Sequence, residues 1–189
     1  MFVEDNKHYE AVNHIDIIKH YESLHDGDLK VGGLQPKVCP AGYITAGWGR
    51  VLTSKTGKML MNTEYDWTIA RKIAGTITEA TADAWLRDDL AEFESKVRSM
   101  VTVKLEPHQI GALVSFTYNV GLGNFRTSTM LKLINSGKLN EVYPQFLRWV
   151  NAGGRLLGGL VCRRQTEADY WSTGLVVFYK WVNGKAVRL

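Results

Sequence analysis

From Thr78 to Gly174 the sequence is written in the helical period, and glycines stop it at intervals. In "TITEATADAWLRDDLAEFESKVRSMV", Leu86, Leu90, Phe93, Val97 and Met100 or Val101 keep one face. Thr78 is a good N-cap, and Glu79 follows it in the first turn. "EPHQIGALVSFTYNVG" carries Pro107 near its start and Gly121 at its end, the asymmetry of a buried helix. "TSTMLKLINSG" reads as a short helix capped by Thr127 or Ser128 and stopped at Gly137. "NEVYPQFLRWVNAGG" reads as another, capped by Asn140 and ended by Gly153, with Pro144 early enough to be tolerated. "GLVCRRQTEADYWSTG" is the last. A chain of this kind has to build a mostly helical lobe.

What precedes and follows that stretch is different. "HIDIIKHYESLH" is an amphipathic helix, with Ile15, Ile18 and Glu22 on one row and Ile17, Tyr21 and Leu24 on the next. "DGDLKVGGLQPK" breaks it into a loop. The segment from about Cys39 to Asn62 is β-like, with Lys55-Thr56-Gly57-Lys58 as a hairpin turn. The tail changes to period two around Asn183-Gly184, a strong hairpin signal. The fold class expected is α+β: a small β-hairpin lobe and a mostly helical lobe flanking a cleft, a usual place for a ligand. The expected organisation is a leader over 1–13, a main domain over 14–174 and a tail over 175–189, which caps the helical lobe.

At 189 residues the chain buries about two thirds of its unfolded surface and needs no staples. Its two cysteines, Cys39 and Cys162, do not make a disulfide framework and suit a reducing compartment. The first residues are polar and acidic where a signal peptide needs an apolar core, so synthesis in the cytosol without an export signal is expected. The formal net charge of +4 favours an anionic partner: cell-wall polymer, nucleic acid or membrane surface.

Among candidate site residues Glu22 comes first. Its helical row carries it toward core or cleft, where lost hydration raises a carboxyl pKa and suits it to general acid work. The alternative is a half-exposed Glu paired with a nearby Arg or Lys. Cys39 alone reads as a small buried hydrophobe, and Thr45 as a β-branched strand residue. Facing Glu22 across a cleft, the two are able to hold one water opposite the acid.

Glu22, then Cys39, then Thr45 in "CPAGYITAGWG", with Gly47-Trp48-Gly49 behind it, resembles the phage-type lysozymes and endolysins of glycoside hydrolase family 24. The resemblance continues through "TADAWLRDDLAEFESKV", "ALVSFTYNVGLGNFRTSTMLKLIN", "RWVNAGG" and "GLVCRRQTEADYW", from about Ile15 to Trp171. It implies a lysozyme-like fold and hydrolysis of the β-1,4 bond between N-acetylmuramic acid and N-acetylglucosamine in bacterial peptidoglycan. Glu22 would protonate the leaving oxygen; Cys39 and Thr45 would position the attacking water. No cofactor and no metal is implied, and His14, His20 and His25 form no metal pattern.

The sequence departs from the family in two places. The gap between Glu22 and Cys39 is long, the excess lying in the loop and extending the cleft rim. Arg50 follows the corner where members often carry His; it is read as contacting substrate, lowering the Cys39 thiol, pairing with Glu22, or pointing to solvent. Arg163 and Arg164 stand at the family's basic pair; one is expected to reach the cleft and orient Glu22, the other to pair locally, for instance with Glu167, and both are candidate substrate contacts. Trp48 is the best candidate for a cleft wall. Cys162 is most simply a packed thiol.

The function implied is an endolysin: a bacteriolytic phage enzyme, monomeric, acting on peptidoglycan and its anionic surroundings after a holin opens the inner membrane to it. A lytic transglycosylase acting on the same polymer is the alternative. A basic nucleic-acid-binding module is a distant third, since no DNA- or RNA-reading motif is present.

Overall fold

The computed structural model describes residues 13–22, 24, 32–39 and 41–189. The expected leader, apart from Asn13, and the first half of the loop assigned to the cleft rim, with His25, lie outside the described residues.

Helix α1 spans His14–Tyr21. The Asn13 side chain accepts from Ile15 N–H, and Asp16 returns a carboxylate to Asn13 N–H, both at 2.8 Å. The helix was expected to run on to His25. It ends at Glu22, which turns extended (φ −91°, ψ 122°) while its N–H still reaches Ile18 O.

Strands β1 (Lys37–Val38), β2 (Ile44–Ala46) and β3 (Arg50–Val51) form an antiparallel meander. Lys37 pairs with Thr45, Val38 with Ile44, Thr45 with Val51 and Ala46 with Arg50. Bridges from Thr53 to Met59 and Tyr43 to Met61 continue it around the turn at Lys55-Thr56-Gly57. Helix α2, Glu64–Ala74, follows, with Thr63 Oγ1 accepting from Asp66 N–H. This helix was not anticipated, although Ala70 and Ala74 face a small core with Ile44, Leu52 and Leu60.

The larger lobe is helical, as its periodicity predicts. It contains α3 (Glu79–Met100), α4 (Pro107–Val120), α5 (Leu122–Thr127) and α6 (Thr129–Asn135). Thr78 and Ser128 are the caps of α3 and α6. Every residue from Ile110 to Thr117 is buried, so α4 is the central helix, contacted by α1, α3 and the last helix, α8 (Gly158–Thr173).

The helix expected over 140–153 does not form. That stretch is a 3-10 turn at Leu139–Glu141, a single α-turn α7 at Tyr143–Phe146, and a hairpin of β4 (Asn151–Ala152) and β5 (Arg155–Leu156). Gly153 and Gly154 both take positive φ, 57° and 73°, the two-residue turn that matches strand twist. Helix α8, Gly158–Thr173, then crosses the lobe and ends at left-handed Gly174.

Strands β6 (Tyr179–Val182) and β7 (Lys185–Arg188) pair around Asn183 (φ 48°) and Gly184 (φ 78°). This hairpin lies on α8 and on the end of α1. Thr166 Oγ1 donates to Val177 O, Tyr21 OH contacts Thr166 Oγ1 at 2.8 Å, and Phe178 stacks on His20. A side chain at Gly158 would run into Trp181 at 2.3 Å, so the α8 start must be glycine for the tail to seat.

Candidate functional site

Because α1 ends at Glu22, the backbone turns extended there and the Glu22 carboxylate lies beyond the last turn of the helix. Its side chain is 23% exposed, and Arg163 Nη1 donates to Oε1 at 2.6 Å. On the other side, a methyl group built on Gly49 would sit 3.8 Å from Glu22 Oε2. The acid therefore stands between α8 and the Gly47-Trp48-Gly49 corner.

Arg163 is itself buried. Its Nε donates to Glu167 Oε1 at 3.1 Å and its Nη2 to Ser115 O at 3.3 Å. Glu167 has no exposed surface; it also accepts from Ser115 Oγ at 2.7 Å and from Arg164 Nη1. Spacings of three and four place all three charges on one face of α8. Burial pulls the Arg163 guanidinium down, but the Glu167 and Glu22 carboxylates outweigh it, and its pKa ends above the ordinary value. Arg164 moves the other way: burial pulls it below its ordinary value against the opposing pull of Glu167.

Arg164 corrects an expectation. It is fully buried, with Nε donating to Trp149 O, Nη1 to Glu167, Nη2 to Asn119 Oδ1, and its guanidinium over the Phe116 ring. It has no surface left for substrate; it holds Glu167 in place. Of the basic pair, Arg163 is the member that reaches Glu22.

Arg50 gives another correction. It pairs with neither Glu22 nor Cys39 and does not point free into solvent. Its Nε and Nη2 grip the two oxygens of Asp89 at 2.9 and 2.6 Å, and Nη2 also reaches Trp85 O. This two-pronged geometry pins the start of β3 to α3.

Trp48 borders the same corner. Its Nε1 donates to Asp83 Oδ1 at 2.7 Å, and Lys19 Nζ, paired with Asp83 Oδ2, lies over its ring. Gly47 permits this seat, because a Cβ there would come within 3.0 Å of Ala82 Cβ, and its φ is +60°. Tyr118 OH donates to Trp48 O at 3.1 Å, and burial, then Asp89 and Glu22, push its phenol above the ordinary value. Sequence reasoning missed Asp83 and Asp89, although each stands one position beside the buried row Ala82, Leu86, Leu90 on α3.

Cys39 directly follows β1, the strand paired with the one carrying Thr45. Cys39 N–H donates to Tyr43 O and Gly42 N–H to Cys39 O, both at 2.8 Å, with Gly42 at φ +86°. The first bond continues the β1–β2 register to Cys39 and Tyr43. Strand alternation then puts Cys39 on the sheet face of Lys37, and so of its partner Thr45. Thr45 is 2% exposed, and its Oγ1 donates to Lys37 O at 3.2 Å. Both cysteines are free, and burial pushes the Cys162 thiol up.

The family profile described as Phage lysozyme matches residues 30–167. The chain belongs to the phage lysozyme family. The match begins beyond Glu22, so the place of that acid rests on the geometry above. Among this family member's relatives, the endolysin of Acyrthosiphon pisum secondary endosymbiont phage 1 is 31% identical over 155 residues, covering 80% of this chain and 89% of that protein. The endolysin of Bacillus phage B103 is 42% identical over 98 residues, 52% of this chain but only 37% of that protein. The chain thus matches well under two thirds of the B103 protein's length. Among solved structures, the endolysin from Escherichia coli O157:H7 phage FAHEc1 superposes with a TM-score of 0.65 at 26% identity, covering 86% of this chain and 92% of that one. The α+β arrangement is accordingly lysozyme-like. No helix among the described residues is long and apolar enough to cross a membrane.

Proposed function

We propose that the chain is an endolysin that hydrolyses the β-1,4 bond between N-acetylmuramic acid and N-acetylglucosamine in bacterial peptidoglycan. The observation that carries this is Glu22, held by buried Arg163 of α8 on one side and facing the corner that follows Thr45 on the other. Glu22 gives its proton to the leaving glycosidic oxygen as the anomeric C–O bond breaks. Cys39 and Thr45 hold the water that forms the new bond from the opposite face, and the proton it loses passes toward them and solvent. Attack from that face inverts the anomeric centre, which calls for a separation of about 6.5–9.5 Å between acid and water-holding groups. Delivery to the wall through a holin-type membrane lesion completes the reading, and expression with and without a holin tests that step by lysis.

The test of the chemistry is turbidity loss of permeabilised Gram-negative cells. Glu22→Gln, with circular dichroism unchanged, abolishes lysis; a folded Glu22→Gln protein that lyses cells normally ends the proposal. Cys39→Ser and Thr45→Ala each lose about 10²-fold, the scale of a positioned catalytic group. Product analysis separates hydrolysis from a lytic transglycosylase: free reducing ends support the reading, and anhydro-muramic ends replace it.

A further inference from the structure

Away from Glu22 and its partners, the turn of the β-lobe hairpin and helix α2 enclose a groove of about 680 Å³. That is within the range of small-ligand sites, roughly 300–1,000 Å³. One wall is a helical stripe at i, i+4 and i+8: Tyr65, Ile69 and Ile73. It lies beside the inward stripe Asp66, Ala70, Ala74; Ile69 leans on that small core, while Tyr65 and Ile73 are exposed. Tyr65 is 75% exposed and Ile73 42% exposed, so two of the three present apolar surface that the small core leaves uncovered. The rim carries Lys55, Lys58 and Lys72, and no ion pair engages any of them among the described residues. The one carboxylate in the lining, Asp66, is 4% exposed and already accepts from Met61 N–H.

We infer that this groove binds a short acidic peptide, the carboxylate-bearing stem that branches from the glycan of the wall polymer. The inference rests on the endolysin reading above for the choice of polymer. Charge complementarity selects the occupant: three unpaired ammonium groups call for several carboxylates. The apolar wall calls for methyl-bearing residues between them, which a stem peptide has and a bare phosphate polymer lacks. The groove is concave and hung on the strand that starts at Arg50, four residues before Ser54. An extended strand covers that gap in about 13 Å, within reach of a peptide branching from a glycan in the cleft. A flat membrane surface does not fit a concavity of this kind.

The test has two arms. In the first, the free stem peptide is titrated into the protein by NMR. Shifts are expected at residues 54–58 and at Ile69 and Ile73, weakening at high salt. The Lys55→Glu, Lys58→Glu, Lys72→Glu triple variant is expected to bind about tenfold or more weakly, and the triple Lys→Arg variant to retain binding. In the second arm, digestion of peptide-bearing sacculi is compared with digestion of glycan stripped of peptides by an amidase. The ratio of the two rates is expected to fall by a similar factor in the glutamate variant. Peptide shifts confined to other surfaces, or an unchanged ratio, overturn the inference, as does binding of the groove to anionic phospholipid vesicles in place of peptide. If the protein digests neither polymer, the endolysin reading fails, while the titration still decides the groove.

Discussion

The Glu22 carboxylate rests on the Arg163 guanidinium at 2.6 Å, a quarter-exposed acid held by a base that is 3% exposed. The base cannot move, because Glu167 and Ser115 hold its other donors. Substituting Arg163→Lys keeps one positive charge and removes the fork that spans both carboxylates. We expect activity to fall by at least tenfold, with kcat affected more than KM, since orientation of Glu22 is lost while the glycan cleft is untouched. Steady-state kinetics on soluble glycan chains check this, and an unchanged kcat contradicts it.

Glu167 is the single carboxylate between two buried arginines. Glu167→Gln leaves Arg163 with Glu22 alone and Arg164 with neutral acceptors, the Trp149 carbonyl and the Asn119 amide. Removing one partner from a buried charge cluster costs about 3–5 kcal/mol. For a chain of this length that lowers Tm by on the order of 10 °C. Thermal unfolding followed by circular dichroism gives the number, and a shift of only a degree or two would mean that the network contributes little.

The same residues show what was readable beforehand and what was not. Local chemistry was legible: Thr78 caps α3, Gly121 follows α4, and Asn183-Gly184 turns the tail. Each depends on neighbours a few positions away. The helix predicted over 140–153 shrinks to one turn because Gly153 does not simply stop it: with Gly154 it makes a hairpin turn that draws Asn151 and Ala152 into a strand. Helix α2 is faint in the sequence because its fully buried residues are Asp66, Ala70 and Ala74, while its bulkier Trp67 and Ile69 are only half-buried against the same small core. In the site, Arg163 was legible as one of a basic pair. That it, and not Arg164, meets Glu22 is set by the rotation of α8 against α1, across 141 residues of chain. Arg50 took Asp89 as partner for a similar reason: the pairing follows from how β3 lies on α3, which no local pattern encodes.

Gly47 tests the corner. Substitution by Ala there meets two costs, a left-handed backbone at φ +60° and a Cβ 3.0 Å from that of Ala82. Gly57 shares the positive φ, at +79°, and a Cβ there meets nothing. Gly57→Ala should cost about 1–2 kcal/mol, the backbone penalty alone. Gly47→Ala should cost clearly more and lower activity as well, because Trp48 and Gly49 move with it beside Glu22. Urea unfolding of both variants, with lysis rates, checks the difference; equal costs would mean that the Ala82 contact relaxes freely.

Asp83 ties α1, the corner and α3 together through Lys19 and Trp48. Burial works to raise its pKa, but the hydrogen bonds from Lys19 and Trp48 and the charge of Lys19 outweigh it. The folded value lies below the ordinary 3.8. A carboxylate with a depressed folded pKa contributes stability that is complete above its unfolded value and lost as pH falls through the folded one. Wild type should therefore exceed Asp83→Asn by about 1 kcal/mol at neutral pH, the scale of a charge-assisted contact that is partly screened. The gap should hold down to the neighbourhood of the unfolded value and close below it, because a protonated Asp83 loses the same charge that Asn lacks. Urea midpoints of the two proteins between about pH 7 and pH 2.5, read by Trp fluorescence, test the sign. A gap that widens on acidification would show that Asp83 is held in its neutral form and that Lys19 and Trp48 do not stabilise its charge.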